Sequence, residues 1–377
     1  MSSIQIIEDD KKILRNNITP EFFKEDHYMA TRFKIVLKEM QDYSKNCSYI
    51  IKNLENAYSS LSKNHLEKLP FNYKSKIENV KKGIQLNQDF YNKVVSLYLP
   101  KYDYIKYTKE EYEQHKYFEE YLIRHFFMSC LMRDWTLESK PERDNNYGNV
   151  LKELKKYFNF ENKELMKKNN FKVLVPGTGC SRMTFELAKR GFNVEANDFC
   201  YIYILCVDYL FNYSHKNEFQ FCPSIHSFSN NYSEESVLKR FSFPDVDIRE
   251  ELKKAEAKPI NFIKGDFLLL YKGKKDLYDC IITLFFIDVS KNIIEYVEIM
   301  HDLLKKGGVW INLGCLDYYH SRNHLSIDLT WDELRLVIQN YDFEIKNEIT
   351  SFVPYGVKQG STISDSYGTV FFNVVKK

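Results

Sequence analysis

The sequence predicts an α/β protein whose carboxyl-terminal half is a mostly parallel sheet covered by helices on both faces. From residue 171 on, short apolar runs typical of strands alternate with helical patterns, which indicates a parallel sheet. The last two apolar segments, "FEIKNEITSFVPYG" and "YGTVFFNVV", have no helix between them, which predicts an antiparallel strand at the sheet's end. Up to about residue 165, apolar residues instead recur at three- and four-residue steps, which predicts amphipathic helices.

Composition describes a globular chain and excludes several classes of partner. The 377 residues are 44% hydrophobic and 28% charged, with a formal net charge of +2. That balance allows a sizeable core but gives no electrostatic case for nucleic acid or an anionic membrane surface. The start, "MSSIQIIEDDKK", lacks signal-peptide features, and no apolar run reaches the length of a membrane span. The 8 cysteines lack zinc-ligand spacing, so we expect reduced thiols, no metal site, and a cytoplasmic or also nuclear location.

The elements of the second half are predicted in order along the chain. Before the final pair, strands are predicted at "KVLVP", "NVEANDF", "INFIKGDF", "YDCIITLFFID" and "GVWINLG". Helices are predicted at "CSRMTFELAKRG", "CYIYILCVDYLFNY", "KNIIEYVEIMHDLLKKGG" and "WDELRLVIQNY". Residues 214–258, polar and containing Pro223 and Pro244, interrupt the alternation as an insertion, and whether they form a lid is left open. We therefore expect a helical N-terminal domain over residues 1–165 and a sheet domain over residues 166–377.

A glycine turn follows the first strand of the sheet. Gly177 and Gly179 let the backbone approach a ligand closely, and Asp198, 21 residues after Gly177, ends the next strand at the distance expected of a ribose-binding acid. Arg182 stands where a dinucleotide fingerprint has its third glycine, which counts against NAD. A strand–turn–helix without a ligand stays open for this motif alone.

Several strings, in one order along the chain, together resemble the carnosine N-methyltransferase family. They run from about His27 to the end and include "MRDWTLESKPERDNNY", "VLVPGTGCSRMTFELAKRGF", "CPSIHSFSNN", "FFIDVSKNIIEY", "GGVWINLG" and "PYGVKQGSTISDSYGTVFF". The resemblance implies a class I (Rossmann-like) methyltransferase fold, with a seven-stranded sheet and a terminal antiparallel strand after the helical domain. It also implies S-adenosylmethionine as cofactor and a histidine imidazole, in a small molecule or a peptide, as methyl acceptor.

The resemblance places cofactor-binding residues along both halves of the chain. Arg133 is expected to contact the cofactor's carboxylate, beside Cys130. Gly177 and Gly179 are expected at the methionine portion of the cofactor, and Asp198 at its ribose. Asp266 and Phe267 are expected at the adenine, and Leu284 is expected to contact the cofactor through its backbone. Residue types alone leave two alternatives open, a solvated helix charge for Arg133 and plain core packing for Phe267.

Three residues are expected on the acceptor side. Asp288 is the candidate carboxylate that accepts the second ring N–H of the imidazole, or alternatively the N-cap of the helix that follows. Tyr367 is expected to bond the acceptor, although a tyrosine in a sheet is more often core. His320 stands one residue later than the family's histidine, so it is either an acceptor-binding group or a surface residue.

The chain also departs from the family's pattern. In the cofactor loop, "PGTGCSRM" stands for a family string like P-G-A-G-L-G-R-L, so Ser181 replaces a glycine, and Cys130 stands where a glutamine is expected. On the acceptor side, Ser224 and Asp365 replace an expected tryptophan and aromatic residue, and Asp198 replaces a glutamate at the ribose. Three hypotheses therefore stay open: methylation of carnosine, methylation of a peptide or protein histidine, and a cofactor-binding protein without catalysis. A homodimer is also left open.

Overall fold

The computed structural model describes residues 11–24, 26–323, 325–357, 360–363 and 366–377. The strands are β1 (Leu14–Asn16), β2 (Lys172–Pro176), β3 (Asn193–Asp198), β4 (Phe219–Phe221), β5 (Phe241–Phe243), β6 (Ile260–Lys264), β7 (Tyr278–Leu284), β8 (Leu304–Gly314), β9 (Phe343–Pro354) and β10 (Ser366–Lys376).

The helices of the first half are α1 (Pro20–Lys24), α2 (His27–Gln41), α3 (Tyr43–Asn46), α4 (Ser48–Ser59), α5 (Lys63–Glu67), α6 (Tyr73–Tyr98), α7 (Lys109–Tyr121), α8 (Phe127–Trp135), α9 (Lys140–Leu154) and α10 (Lys163–Asn169). Those of the second half are α11 (Arg182–Lys189), α12 (Tyr201–Asn212), α13 (Glu234–Leu238), α14 (Ile248–Lys254), α15 (Phe267–Tyr271), α16 (Ile293–Leu303) and α17 (Trp331–Asn340). A π-helical turn, Leu122–Phe126, joins α7 to α8.

The main sheet confirms the predicted fold class. Its strand order is β1-β6-β3-β2-β7-β8-β10-β9. The pairs from β1 to β8 are parallel, and β10 runs antiparallel to both β8 and β9. The class I methyltransferase fold is thus present, but with eight strands instead of seven. The additional strand, β1, comes from a segment predicted to be helical and pairs with β6 through Leu14, Arg15 and Asn16.

Alternation along the strands divides the core between the two faces of the sheet. In β2, Val173 and Val175 join one cluster of buried side chains while Leu174 joins another, as the two-residue period of a strand requires. The first cluster contains the apolar faces of the N-terminal helices, and the second contains α15, α16 and α17. The core therefore continues from the N-terminal helices onto the sheet across residue 165. The division into domains at that residue stays a prediction.

Two predicted boundaries are wrong. β7 ends at Leu284, so Asp288 does not end that strand but lies in a separate 3-10 turn, Ile287–Val289. The helix α16 ends at Leu303, and the "LKKGG" predicted as its end belongs to β8. The glycine pair is thus part of a strand, with Gly307 at a φ of +76° where the pairing with β7 is irregular.

The insertion at residues 214–258 forms ordered elements of its own. β4 and β5 pair as an antiparallel ribbon, and their phenylalanines pack on α6, where the Phe90 ring lies 5.1 Å from Phe219 and 5.0 Å from Phe243. The ribbon is therefore anchored to the N-terminal helices. As for membranes, no helix in the described ranges combines the length and apolar character needed to cross one.

Candidate active site

The turn after β2 has the backbone geometry that its glycines allow. Gly177 and Gly179 have φ angles of +61° and +52°, in the left-handed region that favours glycine. A Cβ on Gly177 would lie 2.2 Å from Cδ2 of Phe286, so no larger residue fits without a rearrangement. Ser181 also has a positive φ, +64°, at the N-cap of α11. This explains why the family string has glycine there, since the serine adopts the same conformation at a cost in strain.

Asp198 holds this turn against the end of β3. Its Oδ2 accepts a hydrogen bond from the Gly179 N–H at 2.9 Å, and its Oδ1 accepts one from the Cys200 N–H at 2.9 Å. The side chain is only 8% exposed, and burial raises the pKa of Asp198 to about 6 despite these backbone donors. Each carboxylate oxygen has further lone pairs, so the residue can still accept ribose hydroxyls. That role stays a prediction.

Asp266 and Phe267 follow the neighbouring strand, β6. Asp266 caps α15 by accepting the Leu269 N–H at 3.1 Å. The N–H of Gly265 donates to the Asp198 carbonyl at 3.1 Å, which places the two acids at adjacent strand ends. Phe267 is buried against Phe286 and Tyr296, with ring centroids 5.4 and 5.1 Å away. The ring therefore packs in the core, and its contact with adenine stays a prediction.

Arg133 lies in the wall of a cavity of about 210 Å³. The guanidinium of Arg133 donates two hydrogen bonds. Its Nε donates to Asp134 Oδ1 at 2.8 Å, and its Nη2 donates to the Cys130 sulfur at 3.3 Å. It also lies over the rings of Tyr147 and Tyr355, at 5.8 and 5.2 Å. Because Arg133 is only 9% exposed, the alternative of a solvated helix charge is wrong. A buried, oriented guanidinium beside a glycine turn suits an anionic group of a ligand.

The cavity joins the helical half to the final hairpin. Its lining comes from α7, the π-helical turn, α8, α12 and the β9–β10 region, namely Tyr121, His125, Phe126, Ser129, Cys130, Arg133, Tyr203, Tyr355, Gly356 and Tyr367. Of the predicted residues, this list contains Cys130, Arg133 and Tyr367. Two other hollows, of about 460 and 530 Å³, have none of the predicted site residues among their described lining.

Sequence reasoning missed most of the aromatic wall. The Tyr355 ring lies 5.5 Å from that of Tyr367 and 4.5 Å from that of Phe285. Phe285 follows Leu284 at the end of β7 and has a φ of +49°, a conformation that directs the chain abruptly out of the strand. Tyr355 and Tyr203 could have been found from their place at strand and helix ends. Tyr121 precedes a π-helical turn and Phe126 is its last residue. Such turns are common at functional sites but have no sequence signature.

Asp288 and His320 lie on the loops after β7 and β8 and are not among the residues that line the cavity. Asp288 is 7% exposed, its Oδ2 accepts the Cys315 thiol at 3.1 Å, and burial raises its pKa to about 6. Asn292 caps α16, so the alternative of Asp288 as that helix's N-cap is wrong. His320 is half-buried in the turn after Tyr319, whose N–H donates to the Asp288 carbonyl at 3.0 Å. The two predicted residues are thus neighbours, and their catalytic role stays a prediction.

Two residues that differ from the family's pattern on the acceptor side are Ser224 and Asp365. Ser224 is half-buried in the turn after β4. Asp365 lies outside the described residues.

The residues present fit S-adenosylmethionine. A buried cation, two glycines that allow close backbone approach and a carboxylate at the next strand end match its carboxylate, methionine chain and ribose. The carboxyl-end position of the turn in an open parallel sheet is where such folds bind ligands. Fold and site together define a class I methyltransferase.

Comparison with known proteins identifies the family. The carnosine N-methyltransferase family model matches residues 111–377, and the chain belongs to that family. The mouse carnosine N-methyltransferase is 34% identical over 250 residues, 65% of this chain and 60% of the relative. The Dictyostelium discoideum carnosine N-methyltransferase is 27% identical over 357 residues, 91% of this chain and 76% of the relative. The match therefore spans about three-fifths of the mouse protein's length. Membership in the family makes S-adenosylmethionine the cofactor of this chain.

Proposed function

We propose that this chain transfers a methyl group from S-adenosylmethionine to an imidazole nitrogen of carnosine. The observation that carries the proposal is the cavity in which Arg133 and Tyr367 meet beside the glycine turn. Family membership supports the same activity, and the relatives named above are carnosine N-methyltransferases.

The cofactor supplies a methyl group already activated on a sulfonium, so the chain's own residues mainly align donor and acceptor. Arg133, fixed by Asp134 and by two tyrosine rings, orients the carboxylate end of the cofactor. The turn with Gly177 and Gly179 brings backbone close to it. The aromatic side chains of the cavity wall exclude water and offer faces to a flat acceptor ring.

The acceptor must be a neutral imidazole, because imidazolium has no free lone pair on nitrogen. An unperturbed imidazole has a pKa of about 6.5 and is mostly neutral at neutral pH. Asp288 is proposed to accept the other ring N–H, which fixes the tautomer and raises the nucleophilicity of the attacking nitrogen. With its pKa raised to about 6, Asp288 is still mainly a carboxylate at pH 7.5. His320, its neighbour, and Tyr367 are proposed to position the acceptor.

The test is methyl transfer from labelled S-adenosylmethionine to carnosine, with histidine-containing peptides and a cell extract in parallel. We expect label on carnosine. Label only on peptide or extract protein would move the substrate to a macromolecule while keeping the chemistry. Cofactor binding without any labelled product would favour the non-catalytic alternative.

Asp288→Ala separates catalysis from binding. Because Asp288 is proposed to touch the acceptor and not the cofactor, we expect cofactor affinity to stay within about twofold while turnover falls by at least about 100-fold, the usual range for a lost proton-accepting group. Arg133→Ala is the matched comparison. Because Arg133 is proposed to bind the cofactor, we expect this variant to lose cofactor affinity. An Asp288→Ala variant that turns over normally would remove this residue from the mechanism.

One observation keeps methylation of peptide histidine as the second candidate. Tyr121 and Phe126, at the mouth of the cavity, are 50% and 49% exposed. Exposed aromatic residues at the entrance suit an acceptor larger than a dipeptide.

We also propose a cytoplasmic, and in part nuclear, location.

A further inference from the structure

Two cysteine thiols meet where α8 passes the glycine turn. Cys130 is half-buried in the cavity wall, and Cys180 is buried in the turn directly after Gly179. Their sulfurs lie within 4.8 Å of each other. The Cys180 N–H donates to the Cys130 sulfur at 3.3 Å, and the Trp135 Nε1–H donates to the Cys180 carbonyl at 2.8 Å. The cysteines therefore join the helix that carries Arg133 to the turn that approaches the cofactor.

We propose that Cys130 and Cys180 are an oxidisable dithiol site for a small peroxide, and that the resulting disulfide blocks cofactor binding. The second half of this inference rests on the proposed function, since it takes the glycine turn as the cofactor site. Neither thiol is a reactant in the proposed methyl transfer, although Cys130 lies in the cavity wall beside Arg133.

The two sulfurs have different accessibility, which sets the order of the steps. Cys130 opens onto the cavity, and its sulfur accepts a hydrogen bond from the Arg133 guanidinium at 3.3 Å. Burial raises the pKa of Cys180 well above its usual value, so Cys180 stays a thiol until its partner has reacted. Cys130 is thus the attacking residue and Cys180 the resolving one.

The chemistry balances with one hydrogen peroxide as the oxidant. The Cys130 thiolate attacks a peroxide oxygen, a sulfur–oxygen bond forms, the oxygen–oxygen bond breaks, and hydroxide leaves and takes up a proton as water. The Cys180 sulfur then attacks the sulfenic sulfur, the sulfur–sulfur bond forms, and the sulfenic oxygen leaves as a second water. Two thiols lose two electrons and two protons, and peroxide is reduced to two waters.

Closing the bond must move the turn. A disulfide is about 2.05 Å long, so sulfurs that lie within 4.8 Å of each other approach by at most about 2.8 Å when the bond closes. The Cys180 N–H loses its thiol acceptor, and the adjacent Gly179 N–H is drawn away from Asp198, which it now meets at 2.9 Å. The backbone that approaches the cofactor is thereby displaced.

A metal ion is a poorer occupant of the same place. An oxygen of Asp134 completes a group of three ligand atoms with the two sulfurs. The Arg133 guanidinium, however, already lies 3.3 Å from the Cys130 sulfur and 2.8 Å from an Asp134 oxygen. A second cation there would be repelled at close range. One equivalent of zinc retained by the purified chain would overturn the dithiol assignment.

The experiment treats the full chain with hydrogen peroxide, blocks the remaining thiols and maps disulfides by mass spectrometry without reduction. Binding of S-adenosylhomocysteine, an unreactive probe, is measured by calorimetry before treatment, after treatment and after dithiothreitol. We expect a Cys130–Cys180 cross-link, a loss of affinity of at least about tenfold, and recovery on reduction. Cys180→Ala should keep its affinity under peroxide. Cys222→Ala, which removes another buried thiol, should behave like the unmodified chain.

Two results would overturn the proposal. One is an uncross-linked Cys130–Cys180 pair in the native chain after peroxide, a result that does not depend on whether any variant folds. The other is an equal loss of affinity in Cys180→Ala and the native chain. A chain that fails to bind S-adenosylhomocysteine before treatment would instead overturn the proposed function and with it the effect on binding, while the disulfide map would still decide the thiol pairing.

Discussion

Asp198 and Asp288 are two buried carboxylates whose ionisation opposes folding. Burial raises the pKa of each from the usual 3.8 to about 6, so the folded state prefers their protonated forms. The stability that protonation contributes is fully present below about pH 4, decreases as the pH rises, and is lost above about pH 6. The proposed function needs the ionised forms, because only a carboxylate accepts from ribose or imidazole without donating. The site therefore costs stability at the pH where it works.

Asp288→Asn should stabilise the protein at pH 7.5 and much less at pH 4. The amide cannot ionise, so the variant avoids a cost on the order of 1–3 kcal/mol at the higher pH, which a shift of about two pKa units implies for this buried group. Urea unfolding at the two pH values measures the difference. Asp144→Asn, whose side chain is 61% exposed, is the control and should change stability little at either pH. Equal effects of Asp288→Asn at both pH values would contradict the assigned cause.

Ser181→Gly should stabilise the fold by on the order of 1 kcal/mol, because a non-glycine residue at a φ of +64° is strained. The gain is reduced by loss of the contact between the Ser181 and Thr178 hydroxyls, 3.2 Å apart. Thermal unfolding checks it, with Ser181→Ala as the comparison, since alanine keeps the strain. If Ser181→Ala is as stable as Ser181→Gly, strain at this position is not the reason for the family's glycine.

At this scale the sequence predicts what depends on local backbone chemistry. The positions of Gly177, Gly179 and Asp198 follow from turn and strand-end rules, and the structure places them together. The residues that line the cavity come instead from α7, the π-helical turn, α8, α12 and the β9–β10 region. Their meeting depends on packing between distant elements, which no spacing rule encodes.

Among the elements, α11 shows why Arg182 is compatible with its position. Its guanidinium does not enter the packing between helix and strand. It donates to Asp245 at 2.7 Å and to the Asp134 carbonyl at 3.1 Å, and lies 5.0 Å over the Trp135 ring. Asp245, from the insertion, also accepts from Arg143 at 2.6 Å. The segment predicted only as a polar insertion thus supplies the carboxylate that joins α9 and α11.

Asp245→Ala should destabilise the protein by roughly 3–5 kcal/mol, because it leaves two arginines without their shared partner at sites where the side chains are 6% and 10% exposed. Chemical denaturation measures the loss. Asp144→Ala, which removes an exposed ion pair with Lys140, should cost less than about 1 kcal/mol. Similar losses in the two variants would mean that burial of the Asp245 network is not what makes it matter.

The wrong boundaries at β7 and β8 have one physical origin. The pattern "LLKKGG" satisfies helix-stop rules, and the run before Asp288, "LFFI", is continuously apolar. Yet Leu304 pairs with Tyr278 across the sheet, and the left-handed φ of Phe285 ends β7 early. Long-range pairing and a strained residue overrode the local signals. Of the two, Phe285 lies beside the candidate site, where its ring is 4.5 Å from that of Tyr355.

For the whole molecule, the helical half and the sheet share one core. Trp135 packs on Phe185 and Phe211, with ring centroids 5.6 and 5.7 Å away, and donates to the turn through Nε1. The general order of helices followed by a parallel sheet was predictable from periodicity. The dependence of the sheet on the helices was not predictable, because an amphipathic pattern does not indicate which element its apolar face packs against.

A fragment of residues 166–377 should therefore fail to fold on its own. It lacks β1 and the helices that bury the first core cluster, and a single tryptophan contact of this kind is worth about 3–5 kcal/mol. Near-ultraviolet circular dichroism and a hydrophobic dye would report lost packing in the fragment, while the full chain should unfold in a single transition. A cooperatively folding fragment would instead make residue 165 a domain boundary.

The two edge strands of the main sheet, β1 and β9, differ in whether another strand can pair with them. At one end, the Asn212 amide accepts from Ile13 and Leu14 N–H at 2.9 and 3.1 Å and donates to the Leu14 carbonyl at 2.8 Å, so a side chain occupies the place of a further strand. At the other end, β9 exposes Ile349 and Phe352, at 52% and 80%. Sedimentation should accordingly show single chains or pairs and no ladder of larger species. Growth of a continuous sheet from molecule to molecule needs two open edges on each; a molecule with one such edge terminates any array after its first partner.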